Sequence, residues 1–349
     1  ENIKPYCNSR TRIIFNYFSH LWKKPLEIGS FFGLNILSKD LNWFTKQDIN
    51  NLLNLTGYST IKSFSEIILP IKIPLVSNLI NRFFPKIFPF SWFTLANFLI
   101  AKPDDLNDNL DKTVSVVIAA RNEKGNIDEL LKRIPNLGKG TEVIFIEGHS
   151  TDGTYEKIVE SIKDFKNFDC KVFKQNGIGK GDAIRLGFEK SKGEILMILD
   201  ADITVDPEEL KRFYDIIAHG KGEFVNGVRL VYPYQDQAMR FANLVGNKFF
   251  AIGFTWLLDQ PIKDTLCGTK VLLAEDYKKI SKNRNYFGDF DPFGDFDLLF
   301  GAAKLNLKIV ELPIRYKARK YGSTNISRWQ HGSLLLRMLI FAARRIKFY

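Results

Sequence analysis

The chain has 349 residues, 45% hydrophobic and 26% charged, which allows two domains with sizeable cores and excludes disorder as the default state. Its formal net charge of +11 points to an anionic partner, yet no paired Cys/His finger and no RNP-type signature marks a nucleic-acid module. No basic start followed by an apolar core marks a secretory signal, and no uncharged run reaches the ~18–20 apolar residues of a spanning helix.

The basic balance is uneven. Residues 1–103 hold 12 Lys and Arg against 5 Asp and Glu, and the remainder holds 38 against 34. The three cysteines, Cys7, Cys170 and Cys267, have no metal-ligand spacing and are read as reduced thiols of a cytosolic chain. The 30 Phe and 12 Tyr favour dense aromatic packing or an apolar partner.

In chain order, the first predicted element is a capped amphipathic helix that starts near Thr45 or Lys46 and stops at Gly57-Tyr58. Strands follow at Thr60 to Pro70 and Phe93 to Ala101. Between them, Ile71 to Pro89 is apolar, interrupted by proline and basic through Lys72, Arg82 and Lys86, a composition suited to an anionic surface. A helix with this pattern before a closing strand pair resembles the C-terminal half of a class I SAM-dependent methyltransferase. The glycine-rich SAM loop belongs to the other half, and nothing before Trp43 supplies it. Residues 1–103 are therefore expected to be a fragment without methyltransferase activity. A polar seam rich in Pro, Asp and Asn gives a linker at 104–112, and the second domain is placed at 113–349.

After the seam, strand and helix alternate. Strands are predicted at Val114 to Ala119, Glu142 to Ile146, Lys171 to Phe173 and Glu194 to Leu199. Helices are predicted at Asn126 to Ile134, Tyr155 to Phe165 and Asp182 to Lys190. This order implies an α/β fold with a mainly parallel sheet, helices on both faces and ligands at the carboxyl ends of the strands. Polar or glycine-rich chain follows each strand. Ala119-Ala120-Arg121-Asn122-Glu123 comes first, then Glu147-Gly148-His149-Ser150-Thr151-Asp152-Gly153-Thr154. Gly177-Ile178-Gly179-Lys180-Gly181-Asp182 is third; it has neither dinucleotide-loop nor Walker spacing, and Lys180 suits a phosphate. The fourth, Asp200-Ala201-Asp202, sets two hard oxygen ligands at a strand end, as Mg²⁺ or Mn²⁺ shared with substrate phosphates requires; a solvated turn is the plain alternative.

The ordered set of these segments, with Asp264-Thr265-Leu266-Cys267-Gly268-Thr269, Lys308-Ile309-Val310-Glu311-Leu312-Pro313 and Arg319-Lys320-Tyr321-Gly322-Ser323-Thr324, resembles glycosyltransferase family 2, with its Rossmann-like GT-A fold. Within it, the polyprenyl-phosphate sugar transferases are the most similar. The resemblance implies a GDP- or UDP-sugar donor held by Ala119, Arg121, Asn122, Glu123, Glu147, Asp152, Lys180, Asp200, Ala201 and Asp202. Asp200 and Asp202 would carry the Mg²⁺ or Mn²⁺, and Arg229, Arg240 and Arg319 would face phosphates of donor or acceptor. Surface salt bridges are the plain alternative for these arginines. Asp202 is counted with Asp295 and Asp297 as catalytic: Asp295 matches the general base of hydroxyl-acceptor relatives, and Asp297 an acid of the phosphate-acceptor ones. Asp297 could instead cap a helix from Leu298 to Leu305.

Two departures concern the donor. The family's usual Asp-Asp-Gly-Ser is Glu147-Gly148-His149-Ser150 here, and Thr204 stands where mannose synthases often have Gln. The expected reaction is inverting, metal-dependent transfer of a sugar to a polyprenyl phosphate. A glycan hydroxyl acceptor and a non-catalytic nucleotide-sugar or lipid binder remain as alternatives. The apolar segment Leu334 to Phe341 with its basic end Arg344-Arg345-Ile346-Lys347 reads either as an interfacial helix or as one docked on the core. The former suits a peripheral protein on the cytoplasmic face of an anionic membrane.

Overall fold

The computed structural model describes residues 3–33, 42–104, 111–229, 241–284, 294–319, 321–322 and 328–348; the side chains of 241–244, 295 and 328–331 lie outside that description. The chain divides into two compact units, one of residues 1–106 with 343–349 and the other of residues 107–342.

The first unit holds a three-stranded antiparallel sheet in the order β1-β3-β2, with β1 Ile13–Phe18, β2 Tyr58–Glu66 and β3 Ala96–Pro103. Its helices are α1 Lys23–Phe31, α2 Lys46–Leu55 and α3 Val76–Phe83. Helix α2 begins where the sequence places it, because Thr45 and Asp48 form a reciprocal capping box: the Asp48 N–H donates to Thr45 Oγ1 (3.2 Å) and the Thr45 N–H to Asp48 Oδ2 (2.8 Å). Strand β2 ends at Glu66, short of the expected Pro70, and β3 starts at Ala96 rather than Phe93. β1 and α3 were not predicted. The core of this unit is small, with Leu53, Tyr58, Leu99 and Ala101 buried together.

The second unit is built on a seven-stranded sheet. Its strands are β4 Val114–Ala120, β5 Thr141–Glu147, β6 Asp169–Lys174, β7 Ile195–Ile198, β8 Phe224–Val228, β9 Lys270–Leu273 and β10 Ile309–Pro313, in the order β10-β8-β9-β7-β4-β5-β6. Only β9 runs against its neighbours; every other pairing in this sheet is parallel. The four predicted strands are β4 to β7, each within two residues of its expected bounds. Strands β4, β5 and β7 are covered on both sides, which is why they read as unbroken apolar runs rather than as alternating ones.

Helices α4 Ile127–Arg133, α5 Thr154–Asp164, α6 Lys180–Lys190 and α7 Leu210–Ala218 follow β4 to β7 in turn. Next come α8 Phe241–Leu258, α9 Ala274–Lys282, α10 Asp295–Lys304 and α11 Arg328–Ile346. Helix α10 opens at Asp295 with Gly294 as its N-cap, so Asp297 lies inside the first turn and does not cap a helix from Leu298. Within α11, Leu335, Met338 and Ala342 are buried on one face while Leu336 and Ile340 remain exposed. The helix is thus docked and still carries apolar side chains outward. Among the described residues no helix is long and apolar enough to cross a membrane.

Because β4 to β8 and β10 share one direction, their carboxyl ends open on one rim of the sheet, and antiparallel β9 begins there. Helix α6 lies close over this sheet. A Cβ on Gly187 would stand 2.2 Å from Cγ1 of the fully buried Val117 on β4. Gly187→Ala gains helix propensity but overpacks a β-branched neighbour that has nowhere to move. We expect urea denaturation to give an unfolding free energy lower by roughly 1–2 kcal/mol. An unchanged value would mean that the helix lifts from the sheet at no cost.

Candidate functional site

The rim is assembled from the strand exits. After β4, Arg121 is exposed and Asn122 takes a left-handed backbone (φ 56°), a conformation that Asn tolerates better than most residues. The Asn122 N–H donates to Ser150 Oγ (3.0 Å), and its side-chain oxygen accepts from the Thr151 N–H (2.9 Å). Next to it the Glu123 N–H donates to Thr154 Oγ1 (3.0 Å), so the first exit is laced to the second. Ala119 lies within β4, opposite Ile146 of β5, one residue back from the rim.

After β5, the buried Glu147 accepts from the Ser150 N–H (2.5 Å) and fixes the turn. Asp152 accepts from the Thr154 N–H (3.0 Å), the Lys124 N–H (3.2 Å) and the Tyr321 hydroxyl (3.3 Å). Partial burial works against ionisation of Asp152, but these hydrogen bonds prevail and hold its carboxyl below the usual range. His149 reaches the third exit, with Nε2 3.0 Å from the Gly177 carbonyl oxygen. There the buried Gln175 amide donates to the Gly179 carbonyl (2.9 Å), and α6 opens with Lys180 in its first position.

The fourth exit carries the charge. Lys180 Nζ lies 2.5 Å from Asp200 Oδ1, and Arg319 Nη2 lies 2.7 Å from Asp202 Oδ2. The same guanidinium donates through Nη1 to Glu123 Oε1 (3.0 Å). Thr204 donates to the other Asp202 oxygen from its N–H (3.1 Å) and its hydroxyl (2.7 Å). Ala201, between the two acids, is buried and anchors the turn in the core. Burial disfavours the charged form of Asp200, but Lys180, with Lys270 and Arg229 beyond it, prevails and lowers its carboxyl below the usual range. At Glu123 burial dominates, and the carboxyl is pushed up to about 7 against the pull of Arg319, whose charge is shared with Asp202. Gly268, just before β9, presents bare backbone to this cluster: a Cβ there would meet Asp200 Oδ2 at 2.2 Å and Lys180 Nζ at 2.3 Å.

Sequence reasoning named Asp200, Asp202, Glu123, Lys180 and Arg319, and the fold joins them into one network. It assigned no role to Asp264, which engages Arg229. Arg229 Nε and Nη2 donate to Asp264 (2.7 and 2.9 Å), where Asp264 is fully buried and Arg229 nearly so. The expectation that Arg229 faces phosphates thus meets a guanidinium already aimed at Asp264 and lying over the Tyr316 ring. A partner 35 positions away leaves no local signal in the sequence. Asp297 is also engaged, by Arg284 (2.6 Å) and Arg185 (3.6 Å). Arg240 and the Asp295 side chain lie outside the described residues, as do Ser323 and Thr324.

Two carboxylates one residue apart at a strand end fit a hard divalent ion that takes its remaining ligands from substrate phosphates and water. Their present partners fit too, since each acid holds one cation, a charge that an ion could replace. Among the described residues no cluster of three or more His, Cys, Asp or Glu forms a complete protein cage for a metal.

Comparison with known proteins agrees with this geometry. Residues 115–280 match the family model described as Glycosyl transferase family 2, so this stretch is a domain of that kind. A dolichol-phosphate mannosyltransferase of Pyrococcus furiosus is 26% identical over 223 residues, 61% of this chain and 59% of that protein. An undecaprenyl-phosphate 4-deoxy-4-formamido-L-arabinose transferase of Pectobacterium carotovorum is 32% identical over 113 residues, 31% of this chain and 35% of that one. The chain therefore spans between about a third and three-fifths of these relatives' lengths. The structure of glucosyl-3-phosphoglycerate synthase from Mycobacterium tuberculosis superposes with a TM-score of 0.50 at 19% identity, covering 67% of this chain and 80% of that one. That likeness establishes the GT-A-type fold.

Two outcomes follow from the electrostatics. Asp264→Ala strands Arg229 as an unpaired buried charge and should lower the unfolding free energy by about 3–5 kcal/mol in a denaturant titration; a loss below 1 kcal/mol, roughly that of an exposed pair, would show that Arg229 finds another partner. Glu123 keeps its proton up to about 7 in the fold but only to about 4.5 when unfolded, so its contribution is complete below the lower value and is lost as pH rises through the upper one. Between roughly pH 5 and 8 the urea midpoint of Glu123→Gln should therefore fall less than that of the parent chain. Parallel curves would mean that Glu123 titrates normally.

Proposed function

We propose that this chain is a nucleotide-sugar-dependent, inverting glycosyltransferase that moves a hexosyl group from a GDP- or UDP-sugar to a polyprenyl phosphate. The observation that carries the reading is the joining of Asp200, Asp202, Lys180 and Arg319 at one rim, with acids and cations matched. A bound Mg²⁺ or Mn²⁺ would supply charge for the leaving diphosphate. Asp200 and Asp202 would hold the ion, and Lys180 and Arg319, beside them, would face the phosphates, where negative charge develops as the anomeric C–O bond breaks. The Asn122 and Asp152 turns and the buried Glu147 and Gln175 frame the nucleotide. The ions in the solved glucosyl-3-phosphoglycerate synthase, Mn²⁺ with uridine diphosphate, support this choice of cofactor.

The new bond forms between the anomeric carbon and an acceptor phosphate oxygen, on the face opposite the departing nucleoside diphosphate. That oxygen is largely ionised at pH 7, given a second phosphate pKa of about 6, so no protein base is needed. Asp297 suits this acceptor: held by Arg284 and Arg185, it orders two arginines rather than removing a proton. The names of the two relatives, both acting on polyprenyl phosphates, support the same acceptor. One observation favours a hydroxyl acceptor as the second reading. Gly294 packs on Gly181, where a Cβ would lie 2.6 Å from its Cα, and this brings the amino end of α10, and so Asp295, beside that of α6. For the first unit the methyltransferase resemblance of α2, β2 and β3 is kept as a proposal of origin, without a part in transfer. The setting proposed for the whole chain is the cytoplasmic face of an anionic membrane.

The test is release of nucleoside diphosphate from GDP-mannose, UDP-glucose and UDP-N-acetylglucosamine, with and without Mn²⁺ and polyprenyl phosphate. Release should require the ion, rise with the lipid and fall at least about a hundredfold in Asp202→Ala. Release that ignores the lipid moves the assignment to a hydroxyl acceptor with Asp295 as base. No release from a folded chain with any donor overturns the transfer reading.

A further inference from the structure

The first unit wears much of its apolar surface outside. Helix α3 buries none of its residues. Leu75 at the N-cap of α3, with Leu79 and Phe83 on the helix at steps of four, are all exposed, and Phe88 and Trp92 in the turns that follow are exposed too. Leu75 is 86% exposed and Trp92 64%, far above the residual exposure of core side chains. This segment is held in place rather than collapsed. Asn81 accepts from the Ile68 and Leu69 N–H groups (2.9 and 2.8 Å) and donates to the Leu69 carbonyl (2.8 Å), clamping α3 to the exit of β2. An apolar helix fixed with its greasy side outward calls for an apolar medium or partner.

Charge identifies which. From Ile67 to Leu95 there is no Asp or Glu, whereas Lys72 and Arg82 are present and exposed; Lys86 faces Glu66 (3.9 Å). The end of the chain joins the same unit and the same surface. Arg82 Nη2 donates to the Phe348 carbonyl (2.9 Å), and the Phe83 and Phe348 rings lie 5.4 Å apart. Residues 343–349 add the exposed Arg344 and Arg345, again without an acid; Lys347 is buried. Two stretches of chain more than two hundred residues apart thus meet in one patch of Trp, Phe, Leu and cations, the composition of an interfacial anchor.

We propose that α3 with its following turns, together with the basic chain end packed on it, is a docking surface for an anionic lipid bilayer. The apolar side chains enter the headgroup boundary, and Lys72, Arg82 and Arg344 meet lipid phosphates. The surface lies in the first unit and does not depend on the transfer reading, so a failure of either leaves the other standing.

The test is co-sedimentation of the full chain with phosphatidylcholine vesicles, with and without phosphatidylglycerol, at low and high salt. The chain should bind the anionic vesicles, lose most binding at high salt, and bind at least about tenfold more weakly in Leu79→Glu/Phe88→Glu. Both sites are exposed, and circular dichroism checks that the variant is folded. As a second readout, brominated lipid should quench a part of the tryptophan fluorescence that Trp92→Phe removes. Equal binding by parent and double variant overturns the proposal. So does parent chain that ignores anionic vesicles, including the case where sedimentation velocity shows self-association that Leu79→Glu abolishes, which would assign the face to a second copy.

Discussion

Three carboxylates, Glu123, Asp200 and Asp202, stand together on a partly buried rim, and at Glu123 and Asp200 lost hydration opposes ionisation. Lys180 and Arg319 resolve that conflict. Each comes from a different element, Lys180 from the start of α6 and Arg319 from the chain beyond β10. The ion pairs therefore also tie the exits of β4, β6, β7 and β10 together. The outcome differs from acid to acid: Asp200 is held ionised by its cations, while burial prevails at Glu123. On the proposed reading, a divalent ion held by the acids would leave these two cations to face the anion that accompanies it.

Backbone packing makes this arrangement possible. Strand β9 runs against β7 and β8, so the chain enters it at the rim, and Gly268 slips its backbone beside Asp200 where any side chain would displace the carboxylate or the Lys180 ammonium. Gly187 allows α6 to lie on Val117, and α6 in turn sets the position of Lys180. Deeper in the wall, Arg229 and Asp264 use up each other's charge, fixing the exit of β8 to the loop before β9. Cys267 lies in the same wall, fully buried, its thiol pushed up to about 11 by burial, and is an inert packing group.

The two units distribute apolar residues in opposite ways. The second unit puts them into a continuous core between sheet and helices. The first buries only a few side chains together and displays many large ones, concentrated around α3. That contrast gives the basic N-terminal hundred residues a physical meaning that their composition alone did not, since Arg82 and Phe83, which meet the chain end at Phe348, lie on the helix that exposes Leu79.

Local sequence pattern determined the alternation of β4 to β7 with their helices, because strands buried on both faces leave short β-branched runs and amphipathic helices leave a repeat of three to four. It also determined the capped start of α2, through Thr45 and Asp48, and the placing of Asn122, Asp152, Lys180, Asp200 and Asp202 just beyond strand ends. These signals are local, and each is carried by a few adjacent residues. Tertiary structure alone decided the partners. Arg319 meets Asp202 across 117 positions, Arg229 finds Asp264, and Phe348 reaches Arg82 across 266. It decided as well that Asp297 sits inside a helical turn held by Arg284 and Arg185, and that α3 turns Leu79 and Phe83 outward. Which charge neutralises which depends on strand order and on the direction of β9, and neither leaves a mark in any short window of sequence.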